Sequence, residues 1–195
     1  VPVPGNHEYQ GGNVQWYLDQ FTLPDESPLG ELNYTVRYSN TLFIMLDSNR
    51  AIEDQAAWLE EQLKDSDATW KIAVYHHPAY SSGKDRDNKA VRKQWGALFD
   101  KYHLDLALQG HDHAYLRTYP MRDEKPVDSP ADGTIYIVSV SGTKYYEQGD
   151  FAYTQFGMTN VSTYQVLDIR IDGNRLEYSA FDVDGQQRDT FVIEK

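Results

Sequence analysis

Two histidines stand two residues apart in the stretch Gly110–His113, which follows the apolar run Leu104–Leu108. The run predicts a short buried strand that ends at a glycine turn. Extended or loop backbone directs residues at this spacing to one side, whereas a helix places them on nearly opposite sides. His111 and His113 could therefore each bind one ion of a metal pair, which hydrolytic sites hold about 3.5–4 Å apart. The alternative is two polar histidines on the surface.

Two other short motifs combine histidine with turn-forming residues. Residues 5–8 read Gly-Asn-His-Glu, and residues 76–78 read His-His-Pro after the apolar run Lys71–Tyr75. Imidazole suits Zn, Fe and Mn, and an amide oxygen can complete such a metal shell. Each motif alone is typical of a turn. Their occurrence together with the histidine pair is more specific and indicates a metal site.

The elements that would position these motifs alternate between strands and helices. Continuous apolar runs predict buried strands at 42–46, 71–75 and 104–108. The spacing of apolar residues predicts helices over 52–63 and 91–102. This alternation is typical of α/β proteins, whose ligands gather at the carboxyl ends of strands. Two of the three motifs follow such ends.

The flanking segments have simpler patterns. Alternation predicts a strand at 34–38, and helical spacing predicts a short helix over 14–21 with Asn13 as its N-cap. No repeat, low-complexity tract or clear interdomain linker is present, so one domain is predicted. The last third of the chain predicts strands at 134–140, 164–171, 175–181 and 190–193.

Composition excludes several classes of function. The 195 residues are 40% hydrophobic and 25% charged, as in an ordinary soluble globular protein. The net charge of −12 argues against nucleic acid or an anionic membrane as the main partner, although bound metal could still attract a phosphate. The absence of cysteine excludes disulfides and thiolate metal sites. No apolar run approaches the roughly 18 residues of a membrane span.

Taken in order, the three motifs resemble those of the calcineurin-like metallophosphoesterases. The run Gly110–Pro120 is most similar to the purple acid phosphatase branch, whose motif commonly reads Gly-His-x-His-Ala-Tyr-Glu-Arg, with Leu116 as a departure. The resemblance covers most of the chain and is weakest after Gly149. It implies a layered α-β-β-α sandwich that lacks its N-terminal portion, residues 1–195 being the C-terminal portion of one domain. It also implies hydrolysis of phosphate esters by hydroxide bound to two metal ions.

The same resemblance assigns ligands and a catalytic residue. Asn6, His76 and His111 would bind one ion and His113 the other, the ions being Fe, Zn or Mn. His7 would bind no metal. It would instead lie beside the phosphate and protonate the leaving alkoxide or stabilise charge.

Other residues near the motifs have open roles. His76 is preferred as a ligand over His77 because the family's ligand stands two residues before the proline. His77 and Tyr115 are candidate substrate contacts, and His77 is equally a supporting residue at the strand end. Asp112 is expected to point away from the ligands toward solvent. Glu8 either orients a ligand or is a solvated loop carboxylate.

The assigned ligands are all neutral and would leave two cations without charge compensation. The family supplies carboxylates from Asp-x-His and Gly-Asp motifs upstream of Gly-Asn-His, whereas this sequence begins with Val-Pro-Val-Pro. We therefore expect the upstream part of a parent protein to carry these ligands. Residues 1–195 alone are expected to be inactive, to bind metal weakly and to oligomerise through an unpaired sheet edge.

The loop after the strand-end histidines also departs from the family. Plant relatives carry additional substrate-facing histidines there, whereas this chain has Ser81, Ser82, Lys84, Asp85 and Arg86. Contacts to the substrate are therefore expected to differ.

Two classes of function follow from the sequence. In the first, the parent protein hydrolyses a phosphate-ester substrate, is secreted or periplasmic as the resemblance suggests, and has no nucleic-acid or membrane partner. In the second, the chain is a catalytically dead remnant that acts as a binding or scaffold module. An upstream Asp-x-His motif would favour the first.

Overall fold

The computed structural model of the protein describes residues 1–161 and 166–195. Its helical segments are α1 Gln15–Leu18, α2 Ala56–Lys64, α3 Lys89–Val91, a π-helical turn Arg92–Gly96, α4 Ala97–Tyr102 and the 3₁₀ turns Gln10–Gly12 and Gly30–Leu32. Its strands are β1 Tyr34–Tyr38, β2 Thr41–Met45, β3 Trp70–Val74, β4 Leu106–Gln109, β5 Tyr115–Thr118, β6 Met121–Arg122, β7 Lys125–Pro126, β8 Ile135–Val138, β9 Thr154–Met158, β10 Val166–Asp172, β11 Arg175–Phe181 and β12 Gln187–Glu194.

A seven-stranded mixed sheet lies at the centre, in the order β1-β2-β3-β4-β8-β5-β9. Strands β2, β3, β4 and β8 are parallel to one another. Strands β1, β5 and β9 pair antiparallel at the two sides. Because parallel strands end at the same edge, the segments that follow residues 45, 74, 109 and 138 meet there. The predicted α/β class is confirmed.

A second sheet contains the antiparallel strands β10, β11 and β12. Its first hairpin turns at Gly173, whose φ of +56° is readily adopted only by glycine. The predicted meander is confirmed, although residues 162–165, where the predicted strand 164–171 begins, lie outside the described residues. Over the described residues β10 and β12 pair only with β11, so both are edge strands.

The two faces of the central sheet are covered differently. Helix α2 and the helical segment 89–102 cover one face, where Leu59, Leu63, Trp95 and Phe99 are at most 1% exposed. The three-stranded sheet covers the other face, where Leu176, Tyr178 and Ile193 pack against strands β3, β4 and β8. Full burial of each large apolar side chain stabilises the fold by about 1.5–3 kcal/mol. The described residues thus form α, β and β layers in that order.

The predicted helix over 52–63 begins later than its apolar spacing suggests, at Ala56. The buried Gln55 side chain explains the delay, because its amide nitrogen donates to the Asp47 carbonyl at 2.8 Å and its amide oxygen accepts from the Asp47 N–H at 3.0 Å. These bonds anchor the start of α2 to the end of β2. No helix in the part of the chain described here is long and apolar enough to cross a membrane.

Candidate metal centre

The predicted metal-binding residues lie at the carboxyl edge of the parallel strands. His76 follows β3 and His111 follows β4, and the N–H of Gly110 donates to the His76 carbonyl at 3.0 Å. This bond continues the pairing of the two strands by one step and brings the two histidines side by side. Their ring centroids are 5.0 Å apart.

Three donor atoms from three segments converge at this edge. Asn6 Oδ1 lies 2.8 Å from His76 Nε2 and 3.1 Å from His111 Nδ1, and the two nitrogens are 3.1 Å apart. The amide oxygen carries no proton and the two nitrogens carry at most two, so hydrogen bonds cannot satisfy all three contacts at once. A tetrahedral ion with bonds of about 2.0–2.1 Å holds its ligand atoms roughly 3.3 Å apart. The donor set therefore fits a metal ion.

Both imidazoles are uncharged at neutral pH. Burial, together with smaller contributions from the neighbouring His77 and His111, lowers the pKa of His76 to about 3. Burial likewise lowers the pKa of His111 to about 4, with smaller contributions from His77 and Arg86. A histidine binds metal only through an unprotonated nitrogen, so the lowered pKa values keep both lone pairs available.

The loop that carries Asn6 is held against the ends of β2 and β3. The Glu8 carboxylate accepts a hydrogen bond from the Gly5 N–H at 2.7 Å, and the Asn49 side chain donates to the Pro4 carbonyl at 2.9 Å. A Cβ atom added at Gly5 would lie 2.9 Å from the His76 ring. Glycine is therefore required at position 5 for this close approach, and Glu8 acts on the loop backbone rather than on a ligand side chain.

His77 lies in the same cluster, with a ligand atom within 4.8 Å of those of His76 and His111. Its backbone N–H donates to Ser48 Oγ at 2.8 Å, and its Nδ1 lies 3.0 Å from the same oxygen. Ser48 therefore holds His77 through both its backbone N–H and its ring Nδ1, and the ring proton lies on Nε2 in the tautomer in which the Ser48 hydroxyl donates to Nδ1. Asn6 Oδ1 contacts His76 Nε2 and His111 Nδ1, whereas His77 Nδ1 is engaged with Ser48, and this arrangement supports His76 over His77 as the ligand.

The structure does not bring His113 into the cluster of three donors. Its Nδ1 is 2.9 Å from the Lys144 carbonyl oxygen, which is an acceptor, so Nδ1 carries the proton and Nε2 is left with a lone pair. His113 lines the same cavity as the three donors, together with His7, and this cavity has a volume of about 630 Å³. The His7 ring is exposed at its rim, where Nδ1 contacts the Gln10 side chain.

Asp112 is buried and does not face solvent, contrary to the expectation from simple alternation. It is 1% exposed, and its carboxylate accepts from Ser81 Oγ at 2.6 Å, the Ser82 N–H at 2.7 Å and Arg86 Nε at 2.5 Å. The reason is the left-handed backbone at His111, whose φ is +66°. This conformation ends the two-residue alternation and turns Asp112 toward the loop after β3.

Tyr115 lies in strand β5 and not in a loop, and the structure does not bring its hydroxyl to the cavity. The residue is 1% exposed, and its hydroxyl donates to Asp189 Oδ2 at 2.8 Å and lies 3.0 Å from the Tyr178 hydroxyl. Both partners belong to the second sheet. The prediction that Tyr115 contacts the substrate is therefore corrected to a packing role between the two sheets.

Among the cavity-lining residues without a role assigned from the sequence, three are cationic or aromatic. Arg86, Lys144 and Tyr146 lie beside His113, and the rings of Tyr146 and His113 are 4.6 Å apart. Arg86 is on the polar loop after β3, where the sequence departs from that of the plant relatives. Lys144 and Tyr146 follow β8, and no local pattern in the sequence links them to the histidine motifs.

Strand-end histidines at the edge of a mixed α/β sheet are the arrangement of a candidate metal site, and similarity to known proteins specifies the family. The model of the calcineurin-like phosphoesterase family matches residues 1–115. The chain belongs to this family.

Its relatives include purple acid phosphatases. It is 29% identical over 174 residues to acid phosphatase type 7 of Mus musculus, covering 72% of this chain and 39% of the relative. It is 28% identical over 129 residues to purple acid phosphatase 23 of Arabidopsis thaliana, covering 59% and 28%. The structure of a purple acid phosphatase from yellow lupin (Lupinus luteus) seeds has the same fold, with a TM-score of 0.77 at 21% identity, covering 89% of this chain and 34% of that one. The chain thus spans less than half the length of these proteins.

Proposed function

We propose that residues 1–195 form part of a single metallophosphoesterase domain that hydrolyses phosphate esters with two bound metal ions. The observation that carries the proposal is the convergence of Asn6, His76 and His111 at distances of 2.8–3.1 Å. Membership of the calcineurin-like phosphoesterase family supports phosphate esters as the substrate class.

Asn6, His76 and His111 would hold the first ion, and His113 would offer Nε2 to the second. The two imidazole donors favour Zn, Fe or Mn over Mg or Ca, which prefer shells made wholly of oxygen ligands. When bound, the ions would supply an activated water molecule and would neutralise charge on the phosphate oxygens. A single donor binds an ion weakly, so the second ion requires ligands beyond His113.

The residues around these ligands would handle the leaving group and the phosphate. Hydrolysis forms a bond from the water oxygen to phosphorus and breaks the bond from phosphorus to the ester oxygen, which must gain a proton. His7, at the rim of the cavity, would donate that proton and regain one from solvent. His77, held by Ser48 through its backbone N–H and Nδ1, would present Nε2–H to a phosphate oxygen in the tautomer in which Ser48 donates to Nδ1.

The test is to load the protein, at its natural length, with Zn, Mn or Fe and to measure metal content and hydrolysis of p-nitrophenyl phosphate. His7→Ala should leave the metal content intact and lower kcat by about 10²–10⁴-fold, as expected for loss of a general acid. His103→Ala is the matched control, because His103 ends α4 and lies outside the cavity. Failure to take up any of the three metals would contradict the proposal and favour the binding or scaffold module.

A further inference from the structure

A cluster of two cations and one aromatic ring lies beside the candidate metal centre. The guanidinium carbon of Arg86 is 4.9 Å from the centroid of the Tyr146 ring, and the ammonium nitrogen of Lys144 is 5.1 Å from it. All three residues line the cavity that contains Asn6, His76 and His111. We call Arg86, Lys144 and Tyr146 the cationic cluster.

Arg86 is held in place from behind by a buried anion. Its Nε donates to Asp112 at 2.5 Å, and the Asp112 side chain has no exposed surface. The remaining two guanidinium nitrogens make no hydrogen bond to any residue that the structure describes. An arginine fixed through Nε and free at its other nitrogens is suited to bind a phosphate oxygen pair.

The backbone that carries Lys144 and Tyr146 is fastened to His113. The Lys144 carbonyl accepts from His113 Nδ1 at 2.9 Å, and the Tyr146 N–H donates to the His113 carbonyl at 2.9 Å. The Lys144 ammonium forms no ion pair with a described residue. The backbone of Lys144 is thus fixed beside His113, the predicted ligand of the second metal ion.

The charge around this cluster contrasts with the charge of the whole chain. The net charge is −12, yet the cavity wall contains two cationic side chains and one carboxylate, Asp112, which is already paired with Arg86. The cavity, at about 630 Å³, is within the range of roughly 300–1,000 Å³ typical of sites for whole small molecules. The cavity therefore has both the room and the positive charge for an anionic group in addition to the reacting phosphate.

We propose that the cationic cluster binds a second phosphoryl group of the substrate, so that the site favours diphosphates over simple monoesters. Arg86 would bind the second phosphoryl group through its two free nitrogens, and Lys144 would add charge from the solvent side. The proposal rests on the proposed function, because it takes the reacting phosphate to lie at the metal centre.

The test compares the binding of a ligand with one phosphonate group to that of a ligand with two. The metal-loaded protein, at its natural length, is titrated calorimetrically with methylphosphonate and with methylenediphosphonate, in the presence of excess Mn²⁺. The ratio of the two Kd values should be at least about tenfold in favour of the diphosphonate, since hydrogen bonds to charged groups contribute about 1.5–3 kcal/mol. Arg86→Gln should reduce this ratio by about tenfold or more, and Lys144→Gln by about threefold because its ammonium is exposed and screened.

Arg37→Gln is the matched control. Arg37 lies on β1 and forms an exposed ion pair with Asp67, so its substitution should leave the ratio of Kd values unchanged. Arg86→Gln leaves Asp112 buried without its cation, so thermal unfolding of each variant checks folding, and Lys144→Gln tests the cluster without touching Asp112. Equal ratios in the native protein, Arg86→Gln and Lys144→Gln would overturn the proposal.

The same variants separate this proposal from the proposed function. Hydrolysis of pyrophosphate and of p-nitrophenyl phosphate is measured in parallel, and Arg86→Gln should lower kcat/KM for pyrophosphate much more than for the monoester. If neither substrate is hydrolysed while the binding ratio still depends on Arg86, the proposed function fails and the subsite stands. If both are hydrolysed and the ratio is independent of Arg86, the subsite fails alone.

Discussion

The segment from His111 to Arg117 connects two polar clusters of opposite character, the first half-buried and the second buried. At its start, Asn6, His76 and His111 bring three neutral donor atoms within 3.1 Å of one another. At its end, Arg117 donates through Nε and Nη2 to the two carboxylate oxygens of Asp189 at 2.7 and 2.9 Å. Tyr115 and Tyr178 complete this second cluster between the two sheets.

The difference lies in whether the protein satisfies its own polar atoms. Around Asp189 every carboxylate oxygen meets a donor and the charges cancel, which is the arrangement that a buried ion pair requires. Around His76 three donor atoms lie within 3.1 Å of one another, and no lysine or arginine among the described residues hydrogen-bonds to them. The first arrangement contributes to the fold alone, whereas we propose that a bound cation completes the second.

The largest effect is expected from His111→Ala. It removes one of three donors to the first ion, and loss of residues that merely support a ligand already lowers metal affinity by about 10–100-fold. We expect a loss of at least about 100-fold in Zn affinity, measured by competition with a chelator. Retention of native affinity would show that the three-donor cluster is not the metal site.

Asp189→Ala should break the other cluster without affecting the metal. It leaves Arg117 buried and unpaired, which typically costs about 3–5 kcal/mol of stability. Urea unfolding should show this loss, while the metal content of the folded variant stays native. Parallel loss of metal would mean that the two clusters are coupled through the segment between them.

These two clusters also show how far the sequence could predict the structure. The three motifs and the alternation of strands and helices were sufficient to place His76 and His111 at the carboxyl ends of strands, which share one edge in a parallel sheet, whereas the pairing of β3 with β4 is known only from the structure. Strand β5 was not predicted, since its four residues are all buried and include Arg117, whose partner Asp189 is 72 positions away. An arginine in a short segment indicates exposure unless that partner is known.

The errors within the site have a similar cause. An extended backbone at residues 111–113 predicts that Asp112 faces solvent, and the left-handed φ of His111 cannot be inferred from residue types. Its partners Ser81, Ser82 and Arg86 lie 26–31 positions earlier in the chain. Such contacts depend on the packing of two loops, which periodicity does not describe.

Gly5→Ala should produce a smaller effect at the metal centre. The new methyl group would lie 2.9 Å from the His76 ring, so the ring or the loop must shift. Overpacking of this kind typically costs about 1–3 kcal/mol of stability, and the displaced ring should lower Zn affinity as well. Gly96→Ala is the control, because its nearest contact would be an ordinary 3.8 Å. Equal Zn affinity in the two variants would refute the close approach.

Tyr115→Phe should have the smallest effect. It removes one hydroxyl from the cluster around Asp189 and should lower the free energy of unfolding by about 0.5–1.5 kcal/mol. The KM for p-nitrophenyl phosphate should stay unchanged. A raised KM with unchanged stability would instead restore Tyr115 as a substrate contact.

The central claim is that Asn6, His76 and His111 bind one metal ion and that His77 does not. A crystal structure of the metal-loaded protein, with the ion located by anomalous scattering, tests it most directly. We expect an ion in contact with Asn6 Oδ1, His76 Nε2 and His111 Nδ1, with His77 still bonded to Ser48. An ion bound through His77 in place of Asn6, or no ion at this edge of the sheet, would contradict it.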